Sequence, residues 1–233
     1  MSRGVAIETS GRIGSVAVVR DGTILAEEQF PHGLQHAAQI VPILDRLTRA
    51  QGWRPRDVEE LYVSVGPGSF TGLRIGVTLA KTMALATGVR LVAVPSVRVL
   101  VENAPPEARH VVIVLDAKRE QIFTARFERD ASALTWLERE AAHLDSLTAM
   151  LARVPRPVHL IGEGIPYHEK FMPTNDPSVI VTPADAWRAR AAAVAKIGLG
   201  MAARGEFADP YTLAPIYIRR PEAEEKFEQK AGA

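Results

Sequence analysis

The chain has 233 residues, 47% hydrophobic and 24% charged, with a formal net charge of +1; this suits one large or two modest soluble domains and leaves no single-signed field to attract nucleic acid or anionic lipid unaided. It contains no cysteine, which excludes disulfides, thiolate nucleophiles and zinc–thiolate centres. The opening MSRGVAIETS carries no apolar signal core and no apolar run reaches the roughly 18 residues of a membrane span, so a cytoplasmic protein is expected.

In chain order, VAIETS (residues 5–10) reads as a buried strand closing on an acid, Glu8, and GSVAVVR, an Asp21-Gly22 turn and TILAEEQF follow as a hairpin. Residues 34–51 carry Leu34, Ala37, Ala38, Val41, Leu44 and Leu47 at helical spacing. LYVSVG is a strand, the stretch after Gly66-Pro67-Gly68 a helix, RLVAVP a strand, and SVRVLVENA a short helix. The pattern then begins again. VVIVLD closes on Asp116, EQIFTARFE and ALTWLERE alternate, DSLTAMLARV is helical, PVHLIGEG returns to strand, and residues 184–204 read as one alanine-rich helix. Both halves repeat the order β-β-β-α-β-α without visible sequence identity, which makes Glu8 and Asp116 pseudo-equivalent acids. Duplicated units of this order facing a cleft form the actin-like α/β fold of the Hsp70 and sugar-kinase type. Lobes are expected over 1–105 and 106–220, with a charged tail over 221–233.

The stretch VSVGPGSFTGLRIGVTLAKTMALATG (63–88) opens like a phosphate loop but lacks its residues: counted from Gly66 and Gly68, Thr71 and Leu73 stand where the motif's second glycine would be, and the first lysine is Lys81. Instead Gly68, Gly72, Gly76, Ala80, Ala84 and Gly88 recur every fourth residue. Glycine inside a helix costs about 1 kcal/mol relative to alanine, so the pattern predicts close approach of another backbone, either this protein's own or a second chain's. In the preceding helix, Ala37, Val41 and Leu44 are expected to face the core, leaving Leu34, Ile40, Ile43 and Leu47 on a second apolar flank. The sharper reading makes these two faces one docking surface formed by Leu34, His36, Ile40, Ile43, Leu47, Gly72, Arg74, Gly76, Ala80 and Met83.

IETS, HGLQHAAQIVPILDRL, VGPGSFTGLRIG, DAKREQIF and PIYIR together resemble the bacterial TsaB (YeaZ) family of tRNA threonylcarbamoyladenosine biosynthesis proteins, over residues 4 to about 219. The resemblance implies a degenerate, noncatalytic partner of TsaD, docked through a helix bundle and working with the ATPase TsaE. That complex transfers threonylcarbamoyl from threonylcarbamoyl-AMP to the adenosine beside the anticodon of tRNAs reading codons that begin with A. In that setting tRNA is reached through the complex; from the residues themselves, the apolar docking surface predicts a homodimer when the chain is alone, the missing third ligand predicts no metal, and the incomplete phosphate loops predict no tightly bound cofactor and adenine nucleotide bound weakly at most. Glu8 departs from the family's aspartate, and one added methylene displaces the carboxylate by roughly 1.5 Å. The vestigial nucleotide cleft falls on Glu8, Thr9, Ser10, Asp116, Gly162 and Gly164.

The remaining candidates have plainer readings beside functional ones. His32 and His36 have the spacing of a metal pair, but the stretch offers no third ligand before Asp45, and an exposed or interface histidine is the favoured reading. Ser10, Ser69 and Thr71 have no neighbouring base, and Ser69 is placed to cap the helix that follows it. Asp116, with Arg119 and Glu120, reads equally as a ligand contact and as a solvated strand end, and Gly162-Glu163-Gly164 equally as a nucleotide-loop remnant and as a turn. Against the partner role stand a weak actin-fold ATPase or kinase, which needs a catalytic acid and complete phosphate loops, and a glycoprotease-like hydrolase, which needs a metal triad or an activated nucleophile.

Overall fold

The first strand, β1 (Arg3–Glu8), is an apolar run without alternation, and it is buried on both faces. The computed structural model describes residues 2–30, 35–130, 132 and 135–219; His32, Leu34, the side chain of His36 and the tail 221–233 lie outside the described residues. β1 is followed by β2 (Gly14–Arg20), β3 (Thr23–Phe30), α1 (Gln35–Ala50), β4 (Glu60–Gly66), α2 (Phe70–Thr87), β5 (Arg90–Pro95) and α3 (Ser96–Val101). Their sheet has the order β3-β2-β1-β4-β5, antiparallel across β3-β2-β1 and parallel across β1-β4-β5.

The second half contains β6 (His110–Ile113), β7 (Leu115–Asp116), β8 (Ile122–Arg129), β9 (Trp136–Asp145), α4 (Leu147–Arg153), β10 (Val158–Ile161), α5 (Ile165–His168), β11 (Val179–Val181) and α6 (Ala191–Ala203). β8 pairs with β6 and β7 along one edge and with β9 along the other, while β10 and β11 extend the sheet parallel to β6. The order β9-β8-β6-β10-β11 therefore repeats β3-β2-β1-β4-β5 with the same strand senses. This is the duplicated two-lobed α/β arrangement expected from the sequence. Among the described residues no helix is long and apolar enough to cross a membrane.

One core lies between the first sheet and the pair α1 and α2, and a second, built on the opposite face of that sheet, includes α3, α6 and residues of β6 and β8. A third joins the outer face of the second sheet to α4 and Ile165 of α5. Helix α6, last in sequence, packs on β1, β2, β4 and β5 of the first sheet, where a Cβ on Gly198 would stand 2.4 Å from the Tyr62 ring. The helix expected over 184–204 begins only at Ala191. Residues Ala184–Trp187 make a separate 3-10 turn, held where the Trp187 indole N–H donates to the Thr182 carbonyl at 2.8 Å.

The two helix faces predicted for docking are corrected. Ile40, Ile43, Leu44 and Leu47 are buried in the first core, while Ala37, Ala38 and Val41 face outward. Spacing i, i+3, i+4, i+7 collects the larger side chains into one stripe, and burying that stripe removes more apolar area from water than the alanine face would. In α2, Gly72, Gly76 and Ala80 also face inward. A Cβ at Gly72 would lie 2.0 Å from the Thr9 carbonyl oxygen, and one at Gly76 would lie 2.4 Å from Thr9 Oγ1. The backbone that approaches the glycine groove is therefore the end of β1. Arg74 remains exposed and Met83 is half-buried.

Residues 208–219 return across the molecule as a strap. Ala208 bridges Leu91, Leu213 enters the first core, and the Ile216 N–H donates to the Val65 carbonyl at 2.7 Å. Tyr217 packs on Phe70 with ring centroids 5.0 Å apart, and Arg219 donates to the Ala117 carbonyl and Gln121 Oε1 in the second lobe.

Candidate functional site: the cleft between the lobes

The end of β1 and that of β7, which follows β1's counterpart β6 along β8, meet at a cleft of about 310 Å³, to which one lobe contributes Ser10, Arg12 and Ser69 and the other Asp116, Lys118, Glu163, Gly164 and Tyr167. Of the six residues expected there, Ser10, Asp116 and Gly164 line it. Glu8 and Thr9 are behind it, both with no solvent exposure.

Glu8 turns back into the protein. Its Oε1 accepts the Ser10 backbone N–H at 2.5 Å, and its Oε2, like Thr9 Oγ1, has no hydrogen-bond partner among the described residues. Burial raises the Glu8 pKa, against the opposing pull of its hydrogen bonds from Ser10. Asp116 is the contrasting case: burial alone would raise its pKa, but hydrogen bonds from Lys118 and His168 outweigh it and hold the carboxyl below its ordinary range. Lys118 Nζ stands 2.7 Å from Oδ2, and His168 Nε2 3.3 Å from Oδ1.

The glycines follow from backbone crowding. Gly162 has φ +139°, where a Cβ would lie 2.2 Å from the Val114 carbonyl oxygen; at Gly164 a Cβ would lie 2.5 Å from the Asp116 nitrogen. Both positions serve the turn by which the chain leaves β10 and crosses the break between β6 and β7. Ser69 caps α2, its Oγ accepting the Gly72 N–H at 3.2 Å.

Sequence reasoning missed Glu163 as a bridge between lobes. Its Oε2 accepts the Arg12 backbone N–H at 2.8 Å, and the Arg12 guanidinium lies 5.2 Å from the centre of the Tyr167 ring. It also missed the turn after β7, in which Lys118, Arg119 and Glu120 have φ values of 61°, 53° and 60°. Three consecutive left-handed residues without glycine are costly, and the turn is held by the Ala117 N–H to Gln121 carbonyl bond of 2.9 Å and by the strap's Arg219. The cleft thus presents two cations, Arg12 and Lys118, two acids and two aromatic rings, Phe123 and Tyr167, with Asp116 and Glu163 already engaged.

Residues 32–207 match the family described as TsaD, tRNA N6-adenosine threonylcarbamoyltransferase. The tRNA threonylcarbamoyladenosine biosynthesis protein TsaB of Bacillus subtilis is 30% identical over 226 residues, covering 96% of each chain. The chain belongs to the TsaB family. TsaB of Escherichia coli is 30% identical over 133 residues, 56% of this chain and 57% of that one. YeaZ from Pseudomonas aeruginosa superposes with a TM-score of 0.79 at 22% identity, over 93% of this chain and all of its own, and shares the fold.

The buried acid of this TsaB family member gives a pH prediction. Because its pKa is raised above the ordinary 4.5, folded Glu8 keeps its proton over a range in which the unfolded chain has lost it. Its contribution to stability therefore falls as pH rises from 4.5 through the folded-state value. Glu8→Gln cannot ionise. It is expected to melt higher than the parent at pH 7, with the difference narrowing below about pH 4.5, as measured by thermal melts across that range. His110 and His159 act with the opposite sign: burial lowers both pKa values, so their contribution is lost as pH falls below 6.5.

Proposed function

We propose that this chain is the noncatalytic partner of a TsaD subunit, acting with TsaE in the transfer of threonylcarbamoyl from threonylcarbamoyl-AMP to the adenosine beside the anticodon of tRNAs reading codons that begin with A. Membership of the TsaB family over nearly the whole chain supports the setting. The observation that carries the noncatalytic role is the state of the two pseudo-equivalent acids: Glu8 is closed off from the cleft with its pKa raised, and Asp116 is engaged by Lys118 and His168. Neither is arranged as a free carboxylate facing a phosphate or a nucleophile.

The docking surface passes to the outward faces of the same two helices. Val41 is 51% exposed on α1 and Leu85 56% exposed on α2, with Ala37, Ala38, Pro42, Arg74 and Thr78 also exposed on these faces. TsaD is the proposed occupant in the complex, and a second copy of this chain in its absence. The cytoplasm is the proposed location.

The test is reconstitution with TsaD, TsaE, threonylcarbamoyl-AMP and unmodified tRNA. Modification is expected to require this chain, and the chain alone to hydrolyse no ATP. Equal modification without the chain would remove the partner role. ATP turnover that survives repurification and disappears in Asp116→Ala would restore the ATPase reading.

A further inference from the structure

Arg3 and Arg20 are direct cross-strand partners at the start of β1 and the end of β2. Like charges placed directly opposite each other destabilise a strand pair unless an anion lies between them. No carboxylate fills that role among the described residues. The nearest to Arg3 is Asp57, at 4.0 Å, and Asp57 is already held by the Arg54 backbone N–H at 2.8 Å and by its guanidinium at 3.2 Å. Arg20 makes no ion pair among the described residues; its guanidinium rests 5.3 Å from the centre of the Trp53 ring.

Between these arginines and the loop after α1 lies a pocket of about 320 Å³, lined by Arg3, Arg20, Gln51, Gly52 and Trp53. It contains two guanidinium forks and an amide but no acid. Gly52, at φ +71°, has nothing within 4 Å of where a Cβ would sit, so the mouth is open. The negative end of the α1 dipole offsets part of the arginine repulsion but supplies no bidentate acceptor. The pocket is at the opposite end of β1 from Glu8, about 16–17 Å away along the strand, and is separate from the cleft.

We propose that the Arg3–Arg20 pocket is a phosphate site for an RNA backbone, occupied by the tRNA when the complex binds it; the identity of that RNA rests on the function proposed above. Two guanidinium groups match the tetrahedral oxygens of a phosphodiester, and about 320 Å³ has room for that group with its flanking sugar but not for a helix or strand of a protein. With a net charge of only +1, the chain makes a local positioning contact and does not steer the RNA from a distance.

The experiment measures tRNA binding by the assembled TsaD–TsaE complex as a function of salt, with wild-type chain, with Arg3→Gln/Arg20→Gln, and with Arg98→Gln/Lys196→Gln as a control for lost charge elsewhere. The pocket variant is expected to bind about fivefold to tenfold more weakly, with a salt slope shallower by about one, and the control to match wild type. Arg20→Lys, which keeps the charge and loses the fork, should fall between. Melting of each isolated variant checks its fold, and inorganic phosphate should raise the melting temperature of wild type but not of the pocket variant. Wild-type tRNA affinity in the pocket variant, or an equal loss in the control, overturns the site. A phosphate-dependent melting shift without any tRNA effect assigns the pocket to a free phosphate or nucleotide and also overturns it, as does competition by polyglutamate that leaves tRNA binding intact. A wild-type complex that binds no tRNA removes the functional reading beneath the proposal, an outcome distinct from failure of the pocket alone.

Discussion

Gly72→Ala is expected to lower the melting temperature, although alanine is the better helix former by about 1 kcal/mol. Its Cβ would stand 2.0 Å from the carbonyl oxygen of Thr9 and 3.2 Å from the carbonyl carbon. Both atoms are backbone of a residue with no solvent exposure, so no rotamer relieves the overlap. Either α2 lifts from β1 or the Thr9 peptide turns, and either movement disturbs the neighbouring Ser69 N–H to Ser10 carbonyl bond of 2.7 Å. Overpacking costs about 1–3 kcal/mol, and the upper part of that range applies to a clash with backbone. After the helix-propensity gain, a net loss of about 1–2 kcal/mol remains, or roughly 2–8 °C for a chain of this size. Gly76→Leu should behave alike, since its Cβ would meet Thr9 Oγ1 at 2.4 Å and Ile7 Cγ2 at 3.4 Å. Calorimetry with a binding measurement on the folded fraction checks both variants. A Gly76→Leu protein that melts like wild type but no longer binds TsaD would return the glycine groove to a partner.

Val41→Asp combined with Leu85→Glu should have the converse effect. Both side chains are more than half exposed, so the monomer's stability should change by no more than about 0.5 kcal/mol. An interface of about 1,600 Å² that desolvates these positions would bury two unpaired carboxylates. Association with TsaD should then weaken by at least about tenfold, equivalent to about 1.4 kcal/mol, and tRNA modification should fall with it. Titration of TsaD with each variant, beside a melt, measures both quantities. Wild-type affinity in the double variant would place the docking face elsewhere on the chain.

These expectations differ from those drawn from the sequence in which helix face they use. The apolar residues of α1 form two overlapping arcs, and periodicity alone did not say which arc the sheet covers. Ile40, Ile43, Leu44 and Leu47 won because together they bury the larger area. Likewise, a row of small residues at 72, 76 and 80 announces close approach without naming what approaches. That identity came from Thr9, some sixty residues earlier in the chain, whose carbonyl and hydroxyl occupy the space.

Local pattern was enough for the duplicated strand order, the strand-end positions of Glu8 and Asp116, the cap at Ser69 and the family motifs, because each depends on residues close together in the chain or on a repeated period. What lay beyond it depends on long-range contacts. The Arg12–Glu163 bridge joins residues 151 apart, and the Arg219 clamp on Ala117 spans 102. α6, from the second half, was placed on the first sheet by packing against β1, β2, β4 and β5. The state of the two acids shows the division most plainly: sequence put both at strand ends. Only the folded surroundings decided that Glu8 would be desolvated while Asp116 would meet Lys118 and His168, since a carboxyl's charge follows the solvent and partners around it rather than its place in the chain.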